Sequence, residues 1–318
     1  MKFIEQKKPN YERIAGLLQQ SEAENYWTNF GPVADALEKR LEKTWNTEQV
    51  IMTSSGAAAL MSLVQLYNYI AGRKLDWVVS SFSFPCCTQG PLDNAIVVDC
   101  DEAGMLDLEC LPNEFDGMVI TNLFGVPRSI EKYKNYCNKN NKILIIDSAA
   151  SFHTSKQCGE IVSFHQTKPW GFGEGGCAIV DPAYERDFRS IINFGLVEGK
   201  HTDKWSCNAK LSDPAAAFIY DRLDQYRPID YALQRLRVEE IAEEIGLNPI
   251  KDSNCGHVPI LYPVPVNKND LTQKYYRPLA PTPRATDLYR RMINFPCHPG
   301  LAEKSDDWIN QALLEIAS

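Results

Sequence analysis

Four short apolar runs, Trp77-Val78-Val79, Ala95-Ile96-Val97-Val98, Met118-Val119-Ile120 and Ile143-Leu144-Ile145-Ile146, recur in the first half of the chain with helical stretches between them. They are rich in β-branched residues and lack polar alternation, which is how strands read when both faces are buried. Leu60, Leu63, Val64 and Tyr67 fall at helical spacing after Ser55-Gly56, and a second helical stretch runs from about Ser129 to Asn138. Alternating β and α over this length predicts an α/β fold, a mostly parallel sheet flanked by helices. Such sheets place their sites at the carboxyl ends of the strands.

The pattern changes near residue 212. Ser212-Asp213-Pro214 predicts a helix start, with a capping side chain and a proline in the first turn, carried on through Leu223. A charged helix follows over Ile229–Ile245, stopped at Gly246. Residues 247–318 are Pro-rich and end in a helical stretch, Asp306 to Ile316. The expected organisation is a large domain over 1–225 and a smaller C-terminal α+β domain over 226–318.

Composition removes several classes of function. Of the 318 residues, 44% are hydrophobic and 23% charged, which excludes global disorder. The net charge of −8 argues against nucleic acid as the main partner, because phosphate binding leaves a basic footprint. No apolar run approaches the length of a membrane span. The opening MKFIEQKKPNYERIAG has no apolar core and does not read as a signal peptide. The 10 cysteines are scattered, with no CxxC and no zinc-like Cys/His spacing, so reduced thiols, a cytoplasmic location and no metal are expected.

Gly171-Phe172-Gly173-Glu174-Gly175-Gly176 satisfies G-x-G-x-x-G, but a dinucleotide site needs a strand before the motif and a helix after it. Here the strand-like Cys177-Ala178-Ile179-Val180 follows, and Glu174 would repel a pyrophosphate. The glycines read as a tight turn entering a strand. Three residues upstream of that turn, Lys168 stands in Ser163-Phe164-His165-Gln166-Thr167-Lys168. Alone, it is an ordinary loop lysine. Three other segments alter its weight. Asp147 ends an apolar strand, Ser54 to Leu60 offers free N–H groups at a helix start, and Phe82 and Phe84 follow a strand. An amine nucleophile, a strand-end carboxylate, a phosphate cradle and an aromatic plate are the parts that hold pyridoxal 5'-phosphate (PLP).

In these segments, and in Tyr26 to Pro32, Asn122 to Pro127, Asn208 to Asp213 and Phe295 to Gly300, the sequence resembles the DegT/DnrJ/StrS family of PLP-dependent sugar aminotransferases, of aspartate-aminotransferase type I fold. The resemblance implies that Lys168 carries the cofactor as a Schiff base and that Asp147 pairs with its pyridine nitrogen. It places Phe84 on the ring, and Gly56, Ala57 and Ser163 at the phosphate. It sends Asn208 to the partner's phosphate in a homodimer. His165 and Lys210 are weaker substrate candidates, and Tyr262, Tyr275, Tyr276 and Arg277 are candidates for acceptor contacts. His153, His201, His257 and His298 read as structural or surface residues. The implied reaction is amino transfer from glutamate to a nucleotide-linked keto sugar. A PLP-dependent dehydratase, an aminotransferase for a non-sugar carbonyl, and a non-catalytic relative stay open. The chain departs from the family pattern at Ala57 (usually Thr), Ala150 (usually Gln), Pro169 (usually Asn) and Lys210 (usually Arg), and the stretch from Lys168 to Gly173 is one residue short.

Overall fold

The computed structural model describes residues 1–155, 157–197 and 202–316. In chain order the elements are α1 (Tyr11–Glu24), α2 (Pro32–Trp45), β1 (Val50–Thr53), α3 (Gly56–Ala71), β2 (Trp77–Ser80), β3 (Ile96–Val98), β4 (Gly117–Thr121), α4 (Glu131–Asn140), β5 (Ile143–Asp147), β6 (Glu160–Ser163), β7 (Gly176–Ile179), α5 (Glu185–Ile191), α6 (Asp213–Gln225), α7 (Pro228–Glu244), β8 (Asn248–Pro249), β9 (His257–Leu261), α8 (Pro283–Arg291), β10 (Met292–Pro296) and α9 (Asp306–Leu314).

Seven strands form one sheet in the order β1-β7-β6-β5-β4-β2-β3. β3, β2, β4, β5 and β6 run parallel, and β7 lies antiparallel to both β6 and β1. The four apolar runs read from sequence are four of the five parallel strands. The fifth, β6, carries Glu160 in an otherwise apolar run, which hid it. Glu160 is fully buried and accepts from the Ser148 hydroxyl and from the N–H and hydroxyl of Ser155.

α3 covers one face of the sheet. Ala59, Leu60, Leu63 and Val64 pack on Ile51, Val79, Val119, Ile145, Ile161 and Ala178. α4 and α8 cover part of the other face, where Tyr133, Cys137, Ala285 and Leu288 meet Val78, Met118, Ile120 and Ile146. α1, α2 and α6 pack together beside β1, β6 and β7. Asp213, fully buried, ties two of them: its carboxylate accepts from the N–H groups of Val33 and Ala34 at 3.2 and 3.0 Å, closing the first turn of α2 from the first turn of α6.

A second, antiparallel sheet of order β10-β9-β8 packs with α7 and α9 around Val238, Ile241, Val258, Ile260, Phe295, Ile309 and Leu313. Among the described residues no helix is long and apolar enough to cross a membrane.

Candidate active site

The carboxyl ends of β4, β5 and β6 open onto a cavity of about 500 Å³. Its walls come from the start of α3, the turn after β2, the three strand ends, the loop between β6 and β7, the start of β9, the Tyr275-Tyr276 pair and the N-terminal Phe3. Gly56, Ala57, Phe84, Asp147, Ser163, His165 and Lys168, all singled out from sequence, line it together.

The cradle at α3 is built by close backbone packing. Ser55 caps the helix, its Oγ accepting from Ala58 N–H at 3.1 Å. The N–H groups of Gly56 and Ala57 are left without intrahelical partners and with the positive end of the helix dipole behind them. Gly56 lies against Ser163, whose Cβ a side chain at 56 would meet at 2.9 Å. The glycine motif is the turn expected from sequence. Gly173 has φ +60°, and Gly176 opens β7 directly against the start of α3.

Asp147 is the last residue of β5 and is 2% exposed. Its Oδ1 accepts from Ala149 N–H at 3.0 Å. Burial pushes this carboxyl above its ordinary range, opposed by that hydrogen bond and by the charge on Lys168. Burial likewise pulls the Lys168 amine below its ordinary range, against the influence of Cys255, Asp147 and Cys86. The loop holding Lys168 is pinned to β6 by Trp170, whose Nε1 donates to Ser163 O at 2.8 Å. Lys168 N–H donates to His165 O at 2.8 Å, and Gly171 N–H donates to Lys168 O at 3.0 Å.

Phe84 is half-exposed on the cavity wall, whereas Phe82 is core, packed edge-on to Phe124 and Tyr276. His165 sits at the mouth, with Nδ1 2.8 Å from Thr167 Oγ1 and Nε2 3.5 Å from Glu174 Oε1. Burial lowers its pKa. Asn208 and Lys210 do not line this cavity. They lie together, Lys210 Nζ donating to Asn208 Oδ1 at 2.8 Å, with the ammonium 4.7 Å from the centre of the exposed Phe194 ring.

Sequence reasoning missed much of the far wall. Tyr275 and Tyr276 line the cavity, but Tyr262 is core, donating to Leu313 O at 2.9 Å, and Arg277 is exposed elsewhere. His257, read from sequence as structural or surface, lines the cavity. It lies 3.5 Å from Cys255 Sγ, between Phe3 and Tyr275 with ring centroids at 5.4 and 5.6 Å. Burial and the charge on Lys168 push its pKa down to about 3, so its ring is neutral. His201 lies outside the described residues. Cys86, Cys87 and Asp147 also bring two thiols and a carboxylate within 4.8 Å of one another, a grouping that no sequence spacing announced. A hydrogen bond with Cys87 and burial push the Cys86 thiol up, which keeps it protonated.

Comparison with known proteins gives this geometry a family. Protein MT3510 of Mycobacterium tuberculosis (strain CDC 1551 / Oshkosh) is 26% identical over 238 residues, 68% of this chain. The chain spans only 58% of that relative's length. A dTDP-4-amino-4,6-dideoxy-D-glucose transaminase of Shigella dysenteriae is 21% identical, covering 91% of this chain and 92% of its own. Among solved structures, Helicobacter pylori PseC, an aminotransferase involved in the biosynthesis of pseudoaminic acid, superposes with a TM-score of 0.81 at 18% identity, covering 99% of this chain and 98% of its own. The fold is therefore that of the PLP aminotransferases. The family model for the DegT/DnrJ/EryC1/StrS aminotransferases matches residues 10–235, and the chain belongs to that family.

Proposed function

We propose that the cavity holds PLP and that the protein is an aminotransferase, moving an amino group from glutamate to a nucleotide-linked keto sugar. The observation that carries this reading is the pairing of a buried strand-end carboxylate, Asp147, with a buried amine, Lys168, in one cavity with a free helix N-terminus. The residues present fit the group. A carboxyl held above its ordinary range in an apolar floor calls for a cation, which a protonated pyridine nitrogen supplies. The N–H groups of Gly56 and Ala57 and the Ser163 hydroxyl suit a phosphate. About 500 Å³ is ample for a small cofactor and part of a substrate.

When bound, PLP supplies an electron sink that lets an amino group and a proton be exchanged at one carbon. The chain's own residues do the rest. Lys168 would provide the amine that anchors the group and, once free of it, the base that moves the proton; burial lowers its pKa and so favours the neutral amine that a base requires. Asp147 would hold a proton on the pyridine nitrogen, and Phe84, half-exposed on the cavity wall, would offer its ring to the cofactor. Ala57 and Ala150 offer no hydroxyl or amide, so the backbone and Ser163 carry more of the grip.

Asn208 and Lys210, outside their own chain's cavity and beside the exposed Phe194, support a homodimer in which each chain completes its partner's site. There Asn208 would reach the phosphate and Lys210 the donor carboxylate. The large domain of this reading is 1–225, the small one 226–318, and the enzyme works in the cytoplasm.

The test is spectroscopic. Glutamate should bleach the yellow absorbance of the loaded protein, and a nucleotide-linked keto sugar should restore it. Bleaching without recovery by any keto sugar points to a non-sugar acceptor. A protein that holds PLP but is bleached by no amino donor rejects transamination.

A further inference from the structure

The segment before α1 runs beneath the loop that carries Lys168. The Lys7 ammonium donates to three backbone carbonyls of that loop: Gln166 at 2.8 Å, Gly171 at 2.6 Å, and Lys168 itself. A fourth carbonyl, Pro169, accepts from Arg222 Nε at 2.7 Å. Arg222 is in turn paired with Glu5 at 2.8 Å, and Glu5 also accepts from the Tyr231 hydroxyl. Two residues earlier still, Phe3 enters the cavity against His257. The segment is thus fastened on both sides of the loop it supports.

Converging carbonyls repel one another, and the loop has no side chain of its own to satisfy them. An ammonium has three donors and a full charge, so it can serve three acceptors at once. Burial and the Arg222 charge push the Lys7 amine down to about 7, opposed by Glu5. Three carbonyl acceptors favour the protonated form, which alone has three N–H groups to give.

We propose that Lys7 is a positioning residue for Lys168: its ammonium fills a carbonyl-lined cation hole under the loop and so aims the Lys168 amine into the cavity. This rests on the reading of Lys168 as the cofactor-anchoring amine. The hole selects a primary ammonium. A quaternary ammonium has no N–H to offer.

The test begins with protein freed of cofactor. The rate at which Lys168 captures added PLP is followed by the rise of yellow absorbance, and the site is confirmed by borohydride reduction and peptide mass spectrometry. Lys7→Met should slow capture about tenfold or more, with Lys7→Arg within about threefold of the unaltered chain, the difference expected when charge-assisted bonds are lost or kept. A folded Lys7→Met with the unaltered rate overturns the proposal. A second measurement needs no variant. Acetylation of the unaltered protein should label the exposed Lys2 and Lys8 while Lys7 stays protected; labelling of all three at one rate overturns the proposal. If the unaltered chain captures no PLP, the proposed function falls, and the acetylation result still decides whether Lys7 is held.

Discussion

A β-carbon on Gly176 would lie 2.3 Å from the backbone nitrogen of Gly56. The first residue of β7 therefore sets how close the sheet comes to the start of α3, and with it the position of the two N–H groups proposed for the phosphate. Gly176→Ala cannot be absorbed by a side-chain rotation, because the opposing atoms are backbone. The variant should lose about 1–3 kcal/mol of stability, as overpacking typically costs. It should also lose most of its PLP. Chemical denaturation and the absorbance of dialysed protein check both, and a variant that retains PLP would detach the cradle from this contact.

Asp147→Asn should separate stability from function. Burial makes the ionised carboxylate unfavourable. Without cofactor the Asn variant should be as stable as the parent or more so, by up to about 1–2 kcal/mol, as for other strained active-site groups. With PLP the order should reverse, the variant gaining less from the cofactor and turning over far more slowly. Thermal melts with and without PLP read the crossover directly.

Replacing Ala57 by Thr should return a hydroxyl to the phosphate cradle. One added hydrogen bond is worth about 1 kcal/mol, so the dissociation constant for PLP should fall about fivefold. Equilibrium dialysis measures it; unchanged binding would mean that the cradle is sited elsewhere.

His257 predicts an acid-side loss of stability. Its folded pKa of about 3 lies below the unfolded value, which is near 6.5. Between those values the unfolded chain binds more protons, so stability falls as pH drops through 6.5 and continues to fall towards 3. The slope is at most about 1.4 kcal/mol per pH unit. The raised carboxyls of Asp147, Glu38 and Glu160 act in the opposite sense, so the difference between the parent and His257→Phe isolates the histidine. Urea melts at pH 7 and pH 5 should show a smaller decline in the variant.

The proposed completion of each site by Asn208 of the other chain makes a prediction about mixtures. Lys168→Ala and Asn208→Ala should each be inactive alone. After subunit exchange at equal concentration, half of the dimers are hybrids with one intact site of two, so about a quarter of the parent activity should return. No recovery after proven exchange would confine each site to one chain.

Legibility in the sequence followed locality. β2 to β5 were visible because buried parallel strands are written as continuous apolar runs. Lys168, Asp147 and Ser163 were visible because each stands in a short motif beside a strand. Phe3, Cys255, His257 and Cys86 were not recognised. They reach the cavity from a loop, a distant sheet and the segment before α1, and nothing local marks them. Tyr275 and Tyr276 stand in a tyrosine-rich stretch, and composition alone does not separate them from Tyr262, a core residue. β6 was concealed by Glu160, a charge whose partners are supplied by tertiary structure.

The cavity takes its walls from Phe3 through Tyr276, and this fixes the order of events at the ribosome. The main sheet is complete once Ile179 has emerged, yet Tyr276 follows about 100 residues later, roughly 5–20 s at ordinary translation rates. Through that interval a nascent chain presents the phosphate cradle and the Lys168 loop with the tyrosine wall still unsynthesised. Until Tyr276 joins the wall the cavity stays open on that side, so closure of the pocket trails the folding of the sheet that carries Asp147.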